Sequence, residues 1–177
     1  MLRYLLPLVL LMMVGCSSKV DTDYDPSFST EPLKTFFVIH KSQDGVETLD
    51  EKRLNQAINR QMQAKGYEST AMNTADFHIT FQRAVEEDVP SNFSFGFGFG
   101  TYSRGVGTSV STTQNVTDDE EKFVINMIDP ATKKTFWRAE VTKKRRDFKS
   151  PQARSDYIDK TVAAMLKEFP VRPVTKH

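Results

Sequence analysis

The chain has 177 residues, with 24 Lys plus Arg against 23 Asp plus Glu, 8 Gly, 8 Pro and one Cys. A formal net charge of +1 lacks the basic excess that a nucleic-acid-binding surface needs, and one Cys excludes an internal disulfide or a Cys-based zinc cluster. With 38% hydrophobic and 27% charged residues, the composition is that of one folded domain, neither disordered nor polytopic in a membrane.

Residues 1–16 read MLRYLLPLVLLMMVGC. Arg3 supplies a positive start, and the apolar stretch from Leu5 to Val14 is too short for a bilayer span of about 20 residues, yet long enough for a secretory signal core. Gly15 before Cys16 ends the segment as a cleavage site does. Met13-Val14-Gly15-Cys16 resembles the bacterial lipoprotein box. That resemblance implies S-diacylglycerol and a palmitate-like N-acyl group on Cys16, three chains in all, where one chain alone would hold only marginally. Ser17, in place of Asp, implies sorting to the outer membrane of a diderm bacterium. The other reading is an ordinary signal peptide followed by an incidental thiol. Cleavage before Cys16 leaves 162 residues and removes Arg3, so the mature chain is formally neutral.

Asp21-Thr22-Asp23-Tyr24-Asp25 alternates larger side chains with Asp and predicts a short strand with one acidic face, stopped by Pro26. As a calcium loop it fails, because Pro26 and Pro32 occupy the places of the required Gly and Glu. Thr35-Phe36-Phe37-Val38-Ile39-His40 predicts a buried strand. Thr48 and Glu51 form a capping box, Leu54, Ala57, Ile58, Gln61 and Met62 share one helical face, and Gly66 closes the helix. Phe77, Ile79 and Phe81 alternate with His78, Thr80 and Gln82, the period of a strand with its polar face outward. The run from Phe123 to Ile128, the turn at Asp129-Pro130 and the alternation of Trp137, Ala139 and Val141 predict a hairpin. Ser150-Pro151 starts a second helix, whose face carries Ile158, Val162, Met165, Leu166 and Phe169 before Pro170 breaks it.

These elements predict an α+β fold, a mostly antiparallel sheet with two helices packed on one face and a Gly/Phe-rich hairpin in the middle. The expected organisation is a lipoprotein signal peptide over 1–15, a lipidated N-terminus and first strand over 16–30, a single α+β domain over 31–170 and a tail over 171–177. The middle tract holds Phe93, Phe95, Phe97 and Phe99 separated by Ser and Gly. It opens onto Ser, Thr and Val, so a phosphate-binding loop leading into a helix is disfavoured. As a strand it would place all four Phe on one face. Interior Gly costs roughly 0.5–1 kcal/mol each and a buried Phe gains roughly 1.5–3 kcal/mol, so that face needs a cover. The cover is the domain itself, a partner or the membrane; the remaining reading is a mobile loop. Lys143, Lys144, Arg145 and Arg146 form a basic cluster that is either a solvated strand end or an attractor of anionic lipid.

His40, His78 and His177 are the only histidines, and no nucleophile elbow, zinc-protease pair or Walker loop occurs. The chain is therefore expected not to be an enzyme and to hold no cofactor beyond the lipid on Cys16. Asp23-Tyr24-Asp25, Phe28, Leu33-Lys34-Thr35-Phe36, Lys65-Gly66-Tyr67, Ala75-Asp76-Phe77, the Gly/Phe-rich middle, Ile128-Asp129 and Phe136-Trp137-Arg138-Ala139 resemble, in that order, the bacterial lipoproteins of domain of unknown function 4136. The resemblance runs from about Val20 to Phe169 and implies an α/β envelope domain behind a lipid anchor, with no catalytic residues to carry over. The expected role is a binding or structural module on the outer membrane, facing the periplasm, with an envelope protein or anionic lipid as partner and no nucleic acid. The alternatives are a lipid or glycolipid carrier and a hydrolase using paired carboxylates.

Overall fold

The computed structural model describes residues 19–40, 46–85 and 120–172. Its elements are β1 (Asp21–Tyr24), β2 (Thr35–Ile39), α1 (Leu49–Ala64), β3 (Glu68–Ser69), β4 (Phe77–Val85), β5 (Glu120–Ile128), β6 (Thr135–Lys144) and α2 (Pro151–Met165). The strands form one six-stranded sheet in the order β1-β6-β5-β4-β2-β3. The ladders β1-β6, β5-β6 and β4-β5 are antiparallel, while β2 pairs in parallel with both β4 and β3. The sheet is thus mostly antiparallel, and α1 is the crossover that lets β2 and β4 run the same way. The two-residue β3, absent from the sequence expectation, is too short to carry a periodic signal.

Local chemistry sets both helix starts. Thr48 accepts from the Glu51 amide while the Glu51 carboxylate accepts from the Thr48 amide, and Ser150 accepts from the Ala153 amide ahead of Pro151 in the first turn. Gly66 follows α1 at φ +87°, where a side chain would be strained and its Cβ would come within 3.3 Å of Arg172. The two helices run parallel to each other: Asp50 meets Arg154 near their starts, and Lys65 Nζ donates to the Phe169 carbonyl near their ends.

The core lies between the helices and one sheet face. Leu54, Ile58, Met62, Ile158, Val162 and Met165 pack on Phe36, Phe77, Ile79, Phe123, Ile125 and Met127, all buried. An irregularity in the β5-β6 ladder at Met127/Ile128 inserts one extra residue, so Phe136 and Trp137 are both buried although they are neighbours. The expectation that the other face of β4 points to water fails at two positions. His78 and Thr80 are buried, and His78 Nε2 lies 2.8 Å from the Met72 carbonyl in the loop before β4. Cover for His78 comes from the loop before β4, which brings up the Met72 carbonyl, and from the Phe37 ring on the neighbouring β2, 6.2 Å away between centroids.

Asp76 joins two segments that are far apart in sequence. One of its carboxylate oxygens accepts from the amides of Lys34 and Thr35 at 2.8 Å each and from the Thr35 hydroxyl at 2.9 Å, fixing where β2 enters beside β4. Burial works against its charge, but the backbone hydrogen bonds prevail and hold the carboxyl below its ordinary range. Because the joint is exposed, Asp76→Ala should lower the unfolding free energy by only about 1–2 kcal/mol. Urea melts would check this, and an unchanged midpoint would show that the joint is dispensable.

Candidate interaction surface

The two ends of the sheet differ in chemistry. At one end lie the last residues of β4 and β6, the first residues of β5 and the N-termini of both helices, while β1 starts opposite Glu140, four residues short of the β6 end. Here the apolar rows of the core stop at an ionic layer. Glu121, fully buried, accepts from Arg83 Nε at 2.9 Å and from Arg154 Nη1 and Nη2 at 2.9 Å each. Asp50, in the first turn of α1, accepts from Arg154 Nη2 at 2.7 Å and from Arg53 Nη1 at 2.8 Å. Arg83 Nη1 adds a 3.4 Å ion pair to Asp50.

Burial alone would raise both carboxyl pKa values, but the Arg154 hydrogen bonds prevail and hold both below the ordinary carboxylate range. Arg154 is likewise disfavoured by burial and held protonated by Glu121 and Asp50. The Arg154 guanidinium also lies over the Phe148 and Tyr157 rings, at 5.0 and 5.4 Å. Burial, then the Glu121 charge, pushes the Tyr157 phenol above its usual range. Both acids are therefore ionised and clamped between cations, an arrangement that locks four elements together and leaves neither poised to give up or take a proton near neutral pH.

The basic cluster adjoins this layer, and its members are not equivalent. Lys143 stands opposite Glu121 across the β5-β6 ladder with its ammonium 5.3 Å from the Tyr157 ring centroid; burial lowers its pKa. Lys144, Arg145 and Arg146 are exposed, as is Lys149. Cys16 and Phe93, Phe95, Phe97 and Phe99 lie outside the described residues, as does His177. His40 rests against Phe81 with Nε2 4.0 Å from Glu51, and neither ring nitrogen has a hydrogen-bond partner among the described residues. Among the described residues no cluster of three His, Cys, Asp or Glu is placed to hold a metal ion, and no helix is long and apolar enough to cross a membrane.

The opposite end gathers the short segments that carried the sequence resemblance. The Asp25 amide donates to the Phe136 carbonyl at 2.9 Å, and Phe28 stacks on Phe136 with centroids 4.1 Å apart. Asp129 caps its turn by accepting from the Ala131 amide and the Thr132 hydroxyl. With the Asp76 joint and the Lys65 contact, these segments meet one another in space. Over β1, β6 and β5 they leave a shallow open groove of about 240 Å³, lined among others by Asp23, Tyr24, Asn126, Trp137 and Arg138.

The family model described as domain of unknown function DUF4136 matches residues 20–171. The chain belongs to that family. Its fold is shared by a DUF4136 family protein from Bacteroides thetaiotaomicron, at 16% identity and a TM-score of 0.58, over 87% of this chain and 96% of that one. A PDZ domain protein from Parabacteroides distasonis matches at 15% identity and a TM-score of 0.56; the alignment covers 90% of this chain but only 36% of that protein. A variant of the PelC dodecamer from Paraburkholderia phytofirmans matches at 14% identity and a TM-score of 0.52, over 88% of this chain and 100% of that one. No curated protein matches the chain. At such identities these likenesses establish the DUF4136 fold and nothing finer. Within that fold, the joints at Asp76, Phe28 and Phe136 give the family segments a structural reason to occur together.

Proposed function

We propose that the chain is a lipid-anchored protein of the bacterial cell envelope, held in the outer membrane on its periplasmic side, whose DUF4136 domain serves as a binding or structural module. The observation that carries this reading is Met13-Val14-Gly15-Cys16 at the end of a ten-residue apolar stretch, five residues ahead of the first strand. The family match begins at residue 20, so the lipidated Cys would lie directly before the domain. Supporting the module reading, the ionisable groups of the ionic layer pair with one another. Among the described residues, the groove over β1 and β6 is small and partly lined by Asp23, Asp25 and Arg138, chemistry unsuited to acyl chains.

Cys16→Ala should abolish acylation and release the chain into the soluble fraction. Intact-mass spectrometry and fractionation of cells read the two outcomes separately. Membrane attachment that persists without acyl mass would refute the anchor.

A further inference from the structure

Resting on the lipid-anchor reading above, we infer that the end of the sheet bearing Lys144, Arg146 and Lys149 docks on the anionic phospholipid headgroups of the leaflet that holds the acyl chains. The groove end is then turned away from the membrane.

Three observations converge on this end. The first is the tether. Cys16 and Asp21 are five residues apart, a reach of at most about 18 Å. The antiparallel ladder with Asp21 opposite Glu140 puts the start of β1 toward the β6 end that leads into the cations. A domain tied this closely presents that end to the bilayer. The second is charge. Residues 143–149 hold five Lys and Arg against Asp147, and Lys144, Arg146 and Lys149 are exposed. Lys19, also exposed, adds a cation at the start of β1, paired loosely with Asp21 at 3.4 Å. Among the described residues the acids beside the cluster are Glu120, opposite Lys144, and the buried Glu121, opposite Lys143 and held by Arg83 and Arg154. Glu86, Glu87, Asp88, Asp118 and Asp119 adjoin β4 and β5 in sequence, so the cationic patch is the β6–α2 connection alone. The third is the direction of the helices. Both N-termini, with their positive dipole ends, face this way, and α2 has no acidic residue in its first turn to offset it.

The domain is tall enough for its two ends to be told apart. The ten residues of β6 alone extend about 30 Å. The turn at Ala131 therefore lies well away from a membrane touched by Asp147.

The test uses the acylated full chain reconstituted into phosphatidylcholine vesicles, with or without phosphatidylglycerol, that carry a headgroup quencher. A fluorophore is placed on Asp147→Cys or, separately, on the exposed Ala131→Cys. The expected result is strong quenching at 147 and weak quenching at 131, with the contrast deepened by phosphatidylglycerol and reduced by salt. Replacing Lys144, Arg146 and Lys149 with Gln should lower the docked-to-undocked ratio about a hundredfold and return the signal at 147 to its phosphatidylcholine level.

Equal quenching at both positions would overturn the orientation. A contrast indifferent to phosphatidylglycerol and to the Gln variant would overturn the lipid partner, as it would if these cations served a protein instead. Flotation with pure phosphatidylcholine vesicles and the acyl mass on Cys16 report the anchor independently. Failure of the anchor and failure of the docking thus give different results.

Discussion

Arg154→Ala is expected to lower the unfolding free energy by about 3–5 kcal/mol, read as a shift of the urea midpoint. The loss comes less from the intrinsic worth of the ion pairs than from what the substitution leaves behind. Glu121 would remain fully buried with only Arg83 as cation partner, and Asp50 would lose its 2.7 Å contact. A buried carboxylate short of partners costs far more than an exposed pair gains. The same layer predicts a pH dependence. Folding depresses the Asp50 and Glu121 pKa values, so their contribution is complete above the unfolded-chain values near about 4 and drains away as pH falls through the lower folded values. Thermal melts from neutral to acid pH should show this decline in the wild type and a shallower one in Glu121→Gln, whose starting stability is lower. Parallel profiles would show that the layer does not control acid unfolding.

Phe77→Ala should cost about as much, roughly 3–5 kcal/mol, by a different route. Phe77 is fully buried, and its ring centroid lies 6.2 Å from Phe36, 5.6 Å from Tyr67 and 6.0 Å from both Phe136 and Phe169. Removing it opens a cavity at the meeting point of three strands and the segments that follow both helices, where rigid strands on several sides limit collapse. Phe77→Leu keeps most of the volume and should recover at least half of the loss. Equal destabilisation by both substitutions would mean that ring-specific contacts, rather than the cavity, set the cost.

The features legible in the sequence were those fixed by neighbours along the chain. Thr48 with Glu51 and Ser150 with Pro151 mark the helix starts, because a cap needs only residues within one turn. Strands β4 and β6 declare themselves by alternation and β5 by its apolar run, and the family resemblance follows from segments in a fixed order. The ionic layer was missed because its members come from α1, β4, β5 and α2, and Glu121 sits in a run of acids that reads as solvated. A signal was nevertheless present. Extending the inward phase of Phe77, Ile79 and Phe81 by one step reaches Arg83. The same step from Phe123 reaches Glu121, and from Val141 it reaches Lys143. Three ionisable groups in the core phase at one end of three adjoining strands foretell a charged layer. The parallel pairing of β2 and the doubled burial at Phe136 and Trp137 left no such trace, since crossover direction and an inserted ladder residue depend on tertiary packing.

The β4-β5 ladder is paired as far as Val85 opposite Glu121, while 34 residues of chain separate Val85 from Glu120. Whatever those residues do, the strands they connect are already held side by side by eight paired positions. Closing such a connection costs about 0.6 kcal/mol for each doubling of its length. A change in the length of this connection therefore costs the sheet little in closure entropy. The frame thus tolerates insertion or deletion of chain between its two middle strands.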